Sequence, residues 1–447
     1  MNKDELHISY INLLNEIEIE NLRAIRIGDL MYSEIWYLLN KSQAQIEKET
    51  CFLLTKNCIS AEYHEGKNGQ FLLLSYYRGR SERDNYWKRV VSFFPDACEV
   101  IAHDLRTTEG HCDSFSLFEQ KENTTLFEHY CIELNSIESE IHKKYLAAFL
   151  LVQTKWLTFI EKRLVDKKLL ICYFDGGFFE NIAVQIAKRK QIVTISCQHG
   201  QPIFQSKKFD LINQAQILNF KSDYFIATNL HTVDQFEKAG VDKNKIIEIG
   251  CFKDVRDLSE DRNVEKNTLC LFLDSPSLPF SNDTNREMIN FVQEFASRAN
   301  CRIFVKPHPL DQLTNQNSPF VNENITVLNP RESLDACLSA TEFAICHASS
   351  VYLDLCERGI KSFVWASDQH YYPITDLSED FVFSVDELVH KIKEWRKTGK
   401  EEQLLMKNRT RDHVLNVTGA KEKFVAFIQG ILETHIAYTT DSNDVGL

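Results

Sequence analysis

Lys306-Pro307-His308-Pro309 holds one histidine between two prolines, directly after the apolar run Arg302 to Val305. Proline fixes its own backbone and restricts the residue before it, so this imidazole is held in place where the run ends. A fixed histidine beside a lysine can donate hydrogen bonds to phosphate oxygens. A proline turn with a solvated histidine is the plainer alternative. His347-Ala348-Ser349-Ser350 follows a second such run, Phe343 to Cys346, and opens a helical stretch from about Val351 to Glu357. Two hydroxyls at a helix start are ordinary N-caps. The same arrangement turns backbone N–H groups, the helix dipole and both hydroxyls toward one anion. Asp354, one turn further, is placed to accept the ribose hydroxyls of a nucleotide. Ser275, in Asp274-Ser275-Pro276-Ser277 after Leu269 to Leu273, reads as a secondary phosphate contact or as part of a plain turn.

Two further candidates lie in the first half of the chain. Leu169 to Phe174 runs into Asp175-Gly176-Gly177, where two glycines let backbone and ligand approach closely and leave a carboxylate exposed at the end of a strand. A general base for a sugar hydroxyl would sit there; an Asp-Gly turn with a solvated carboxylate is the rival. Ile192 to Ser196 leads to Gln198-His199-Gly200, and His199 is the second base candidate.

Such residues matter only if the elements before them share one edge. Apolar runs of strand length alternate with helical stretches from about Phe71 onward: Cys98 to Ala102, Ala147 to Leu164 as a helix, Leu169 to Phe174, Phe179 to Arg189 as a helix, Ile192 to Ser196, Tyr224 to Ala227, Leu230 to Ala239 as a helix, and Lys245 to Gly250. After a charged stretch from Asp254 to Asn267, further strands are predicted at Leu269 to Leu273, Arg302 to Val305, Ile325 to Leu328, Phe343 to Cys346 and Phe363 to Trp365. Alternation of this kind predicts an α/β protein with parallel sheets. Ligands bind beyond the carboxyl ends of such strands, where all these candidates fall. The expected organisation is a helical segment over 1–65, a Rossmann-like domain over 66–220, a second over 221–437 and a polar tail over 438–447.

Composition narrows the function classes. The chain has 447 residues, 43% hydrophobic and 26% charged, enough for two or three packed domains. Lys and Arg number 51 against 64 Asp and Glu, a net charge of −13, which disfavours binding to a nucleic-acid backbone. None of the 13 cysteines forms a C-x-x-C pair, so no zinc or thioredoxin-like motif is present, and many lie in apolar runs. The start of the chain lacks a signal-peptide pattern, and Ala147 to Ile160 is broken by Gln153 and Lys155. These features predict a soluble cytoplasmic protein. No G-x-G-x-x-G follows a strand, which disfavours a dinucleotide cofactor, and no Asp-x-Asp stands at a strand exit, which disfavours a metal-dependent transferase.

Asp175-Gly176, His308-Pro309 and Ser349-Ser350, in this order, resemble the short motifs of bacterial sialyltransferases and capsule polysialyltransferases. The His-Pro and Ser-rich elements are also similar to those of capsule Kdo transferases and of teichoic-acid polymerases that use CDP-glycerol, where a His-Gly like His199-Gly200 occurs. Ile27 to Tyr32 resembles a segment of bacterial surface-polysaccharide synthesis proteins. The resemblance implies a GT-B fold, two doubly wound Rossmann-like domains facing a cleft, with acceptor on the first and nucleotide sugar on the second. It implies an inverting, metal-independent glycosyltransferase with no cofactor, with a CMP-activated sialic acid or Kdo as the preferred donor. A capsule or lipopolysaccharide glycan or glycolipid would be its acceptor, and peripheral contact with the inner membrane is expected. By position, Asp175 would be the base, His308, Ser349 and Ser350 the phosphate contacts and Asp354 the ribose contact, with Lys306 and Pro309 also counted in the nucleotide-binding site. Phe174 stands where the family has a second acid, which keeps His199 in play. The alternatives are a CDP-polyol phosphotransferase, a UDP-sugar transferase or 2-epimerase of the same fold, and a catalytically silent nucleotide-binding scaffold.

Overall fold

A computed structural model describes residues 3–16, 41–55, 58–65, 69–76, 88–94, 96–104, 115–116, 120–173, 178–198, 221–238, 240–250, 264–274, 281–309, 322–347, 351–365, 380–415 and 419–441, with residues 28, 31, 35, 38, 39, 175, 313, 319 and 320. The elements of the first half are α1 (Lys3–Glu16), α2 (Gln43–Thr55), β1 (Cys58–Glu65), β2 (Phe71–Tyr76), β3 (Cys98–Asp104), β4 (Phe115–Ser116), α3 (Gln120–Glu133), α4 (Glu140–Arg163), β5 (Leu169–Cys172), α5 (Phe178–Arg189), β6 (Val193–Cys197), β7 (Tyr224–Ala227), α6 (Leu230–Lys238) and β8 (Ile246–Glu248). Their strands form one sheet in the order β4-β1-β3-β2-β5-β6-β7-β8, parallel from β3 to β8, with β1 antiparallel to both β3 and β4.

Alternate residues of the parallel strands feed two different cores, as a sheet covered on both faces requires. Leu72, Leu74, Leu170 and Cys172 face one cluster, while Phe71, Leu73, Leu169, Ile171 and Ile195 face the other. The first cluster also takes Leu14 of α1, Met31, Ile35 and Leu38, Ile46 of α2 and most of α4. The N-terminal helices therefore cover a face of the first sheet and share its core. Gly28 allows the closest of these approaches, since a Cβ there would lie 2.3 Å from the Ile11 carbonyl oxygen.

The second half comprises β9 (Thr268–Phe272), α7 (Ser281–Ala299), β10 (Arg302–Lys306), β11 (Ile325–Val327), α8 (Leu334–Leu338), β12 (Phe343–Cys346), α9 (Val351–Glu357), β13 (Ser362–Trp365), β14 (Phe381–Val382), α10 (Val385–Lys397), α11 (Lys400–Leu415) and α12 (Ala420–Asp441). Its six strands are all parallel, in the order β11-β10-β9-β12-β13-β14. Leu269 and Leu271 pack with α7 and α10 on one face; Cys270 and Phe272 pack with α8 and α9 on the other.

Three expectations change. Residues 58–65 are not helical but form β1, in which Ile59, Ala61 and Tyr63 alternate with polar residues at the period of a strand. The first domain does not end at 220, because β7 and β8 hydrogen-bond onto β6 and continue its sheet. Ala420, Phe424 and Ile428 of α12 pack among Phe71, Ile171 and Ile195, so the last helix returns from the second sheet to the core of the first. Among the described residues no helix is long and apolar enough to cross a membrane.

Candidate functional site

Strand order locates the place to look. In the second sheet the order runs down from β11 to β9 and then up from β12 to β14, so the chain leaves β9 and β12 toward opposite edges of the sheet, the kind of switch point at which α/β sheets take ligands. Asp274 lies two residues past β9 and His347 one residue past β12, and in the register Cys346 pairs with Phe272. The two side chains meet, with His347 Nδ1 2.8 Å from Asp274 Oδ2. With the carboxylate ionised, Nδ1–H is the donor. Both groups are buried, His347 at 1% and Asp274 at 7% exposure.

Each partner is held by a neighbouring element. Asn285 of α7 clamps the Asp274 backbone, accepting from its N–H at 3.0 Å and donating to its carbonyl at 3.1 Å. The Trp365 ring of β13 lies against the imidazole, with centroids 5.7 Å apart. On the other side of β9, Lys306 pairs with Phe272, and His308 follows two residues past the end of β10. The exits of the adjacent strands β10, β9 and β12 thus carry His308, Asp274 and His347 respectively.

The other donor-side candidates are placed unequally. His308 is half-buried and Pro309 exposed. Lys306 is buried, and its ammonium donates to the carbonyls of Pro307 at 3.0 Å and Pro330 at 2.6 Å. It ties the turn after β10 to the segment after β11, where a direct phosphate contact had been expected. Asp354 is half-buried on α9, and its carbonyl accepts from Arg358 Nη1 at 3.0 Å. Ser275, Ser349, Ser350 and His199 lie outside the described residues.

Asp175 is not the exposed carboxylate the two glycines suggested. It is 1% exposed, and its Oδ2 accepts from the backbone N–H of Lys221 at 2.9 Å and of Ser222 at 2.8 Å, and from the Ser222 hydroxyl at 2.8 Å. Its own N–H donates to Ser196 Oγ at 3.0 Å. The Asp175 backbone is thus tied to β6, and the carboxylate secures the segment that enters β7. Burial raises the Asp175 carboxyl above its usual range, against the opposing pull of the bonds from Ser222 and Lys221.

The cysteines in apolar runs behave as small hydrophobes. Burial pushes the Cys98, Cys301 and Cys337 thiols up to about 12, far from the reactive thiolate. Asp274 and His347 were quoted in their motifs but not selected as site residues. Each is ordinary in its own segment, and the pair emerges only when β9 and β12 are known to be neighbours.

No family model matches the sequence, and no curated protein does. Solved structures with a similar fold include the UDP-N-acetylglucosamine 2-epimerase of Rickettsia bellii, 14% identical, with 84% of this chain and 98% of that one covered and a TM-score of 0.50. The UDP-GlcNAc 2-epimerase of Neisseria meningitidis, solved with UDP-GlcNAc, is 10% identical, with 80% and 99% covered and a TM-score of 0.47. The wall teichoic acid polymerase TagF is 12% identical, with 98% of both chains covered and a TM-score of 0.44. At these identities the likeness is one of fold, and that fold is GT-B: two Rossmann-like domains built on the two sheets described above.

Proposed function

We propose that this protein is a nucleotide-sugar enzyme, an inverting and metal-independent glycosyltransferase that extends a bacterial surface glycan. The observation that supports it is the buried Asp274–His347 pair at the reversal of strand order in the second sheet, where α/β sheets take their ligands. In this reading the donor phosphate lies over that edge, met by His308 and by Ser275, Ser349 and Ser350, with Pro309 fixing the turn and Asp354 on the ribose. Lys306 acts through the turn it holds. The acceptor oxygen attacks the anomeric carbon, the carbon–oxygen bond to phosphate breaks, and the phosphate leaves with the electron pair. The acceptor proton goes to His199, because the Asp175 carboxylate is already engaged by three donors.

The motif order favours a CMP-linked acidic sugar, whereas the neighbouring folds are named for UDP-GlcNAc. Calorimetric binding of CMP, CDP, UDP, GDP and NAD, without added metal, separates these. Selectivity for CMP is expected. Preference for CDP would indicate polyol-phosphate transfer, and preference for UDP or GDP a hexose donor. The engaged Asp175 also leaves room for a 2-epimerase, which would convert its nucleotide sugar with no acceptor present. Absence of binding to all five would overturn the proposal.

A further inference from the structure

Asp274 and His347 form a buried Asp–His pair at a place where the surrounding positions are apolar. Leu271, Phe272, Leu273, Ile345, Cys346 and Trp365 all lie in the cores of the sheet. Replacing a buried ionisable pair by well-packed apolar residues is often neutral or stabilising, so stability alone gives little reason for a carboxylate and an imidazole here. The pair is nevertheless held from four directions, by β9, β12, the Asn285 clamp and the Trp365 ring. Overdetermined geometry of this kind suits a group whose position matters to something else. Asp274 leads directly into Ser275, and His347 leads through Ala348 into Ser349-Ser350. The hydrogen bond is therefore a tie between the roots of the two loops that leave the sheet at the switch point.

We propose that Asp274 and His347 are a positioning pair for the nucleotide: their bond sets the separation of the two loop roots, and that separation is the one a bound phosphate group requires. The inference rests on the reading above that a nucleotide occupies this edge. Preorganisation of this kind strengthens binding by removing the cost of ordering two loops against each other when the ligand arrives. The imidazole is fixed through Nδ1, so the pairing atom is known. Asparagine carries an amide nitrogen near that position and can remake the bond to Asp274, whereas alanine cannot.

The test compares wild type with Asp274→Ala, His347→Ala and His347→Asn in binding CMP and UDP, with unfolding midpoints recorded alongside. Both alanine variants are expected to lose roughly tenfold or more in affinity, the size of one hydrogen bond to a charged group. His347→Asn is expected to stay within about threefold of wild type, because it restores the same bond. Alanine variants that fold and bind as wild type does would overturn the pairing role, as would a His347→Asn variant as weak as His347→Ala. Should an alanine variant fail to fold, side-chain nitrogen spectra of wild type decide. The resonance lost in His347→Asn is expected to shift when nucleotide is added, and its indifference would overturn the inference. Wild-type protein that binds neither CMP, UDP nor the other nucleotides would instead remove the functional reading on which the pair depends. Wild-type binding with unaffected variants removes the pair alone.

Discussion

Each Rossmann-like sheet carries an aspartate just past a central strand, and each aspartate has its carbonyl held by an asparagine from the helix that follows. Asn181 donates to the Asp175 carbonyl at 3.2 Å, and Asn285 to that of Asp274 at 3.1 Å. The carbonyls are treated alike, but the carboxylates have opposite partners. Asp175 takes two backbone N–H groups and a hydroxyl from the segment entering β7, and so belongs to the frame of the first domain. Asp274 takes a side chain, the His347 imidazole, from the neighbouring strand exit at the point where strand order reverses. A carboxylate satisfied largely by main chain braces a fold. One satisfied by an imidazole where strand order reverses would, on the proposal above, position a site.

The sharpest way to break this comparison is to truncate both carboxylates. Asp175→Ala removes the acceptor of three buried hydrogen bonds and is expected to cost about 3 kcal/mol or more in urea unfolding. Asp274→Ala should cost clearly less stability and show its main effect in nucleotide affinity. Equal losses of stability, with nucleotide binding intact in Asp274→Ala, would erase the distinction.

The asparagines test the same division with smaller effects. Asn285→Ala removes both contacts to the Asp274 backbone, is expected to cost about 2 kcal/mol, and should weaken nucleotide binding in the same sense as Asp274→Ala. Asn181→Ala should leave nucleotide binding unchanged. A loss of binding in Asn181→Ala would tie Asp175 back to the site.

The smallest effect is one of pH. Burial raises the Asp175 carboxyl, so its contribution to stability is complete below the unfolded carboxylate range and is lost as pH rises through the folded value. Asp175→Asn keeps an oxygen acceptor without the charge. Its stability relative to wild type should therefore improve from pH 4 to pH 8 in paired unfolding curves. A relative stability that falls over this range would mean the hydrogen bonds outweigh burial and the carboxylate is held ionised.

Much of the architecture was readable in advance. Tyr224–Ala227 and Phe343–Cys346 fall where the apolar runs placed them, because strands buried on both faces are continuous apolar segments and need no context to stand out. β1 was read as helix, since a strand with one polar face carries a weaker signal over eight residues. The end of the first domain was set too early because β7 and β8 look like any other strands; only hydrogen bonding assigns them to the first sheet. His308 follows β10 and Asp354 lies one turn into α9, as their segments implied, whereas the environments of Lys306 and Asp175 were not legible. Their partners, Pro330 and Ser222, lie 24 and 47 residues away in the chain.

Local pattern by itself determined the class of protein: alternating strands and helices, two parallel sheets, and polar residues gathered at strand exits. Those features follow from hydrophobic period and turn chemistry, which act over a few residues. Tertiary structure decided which exits are neighbours, and with that the chemical character of each polar group. Asp175 and Asp274 are both aspartates after buried strands, indistinguishable by local rule. One became a buried brace and the other half of an Asp–His pair because sheet order, a property of the whole chain, brought the mouth of β7 to the first and the exit of β12 to the second.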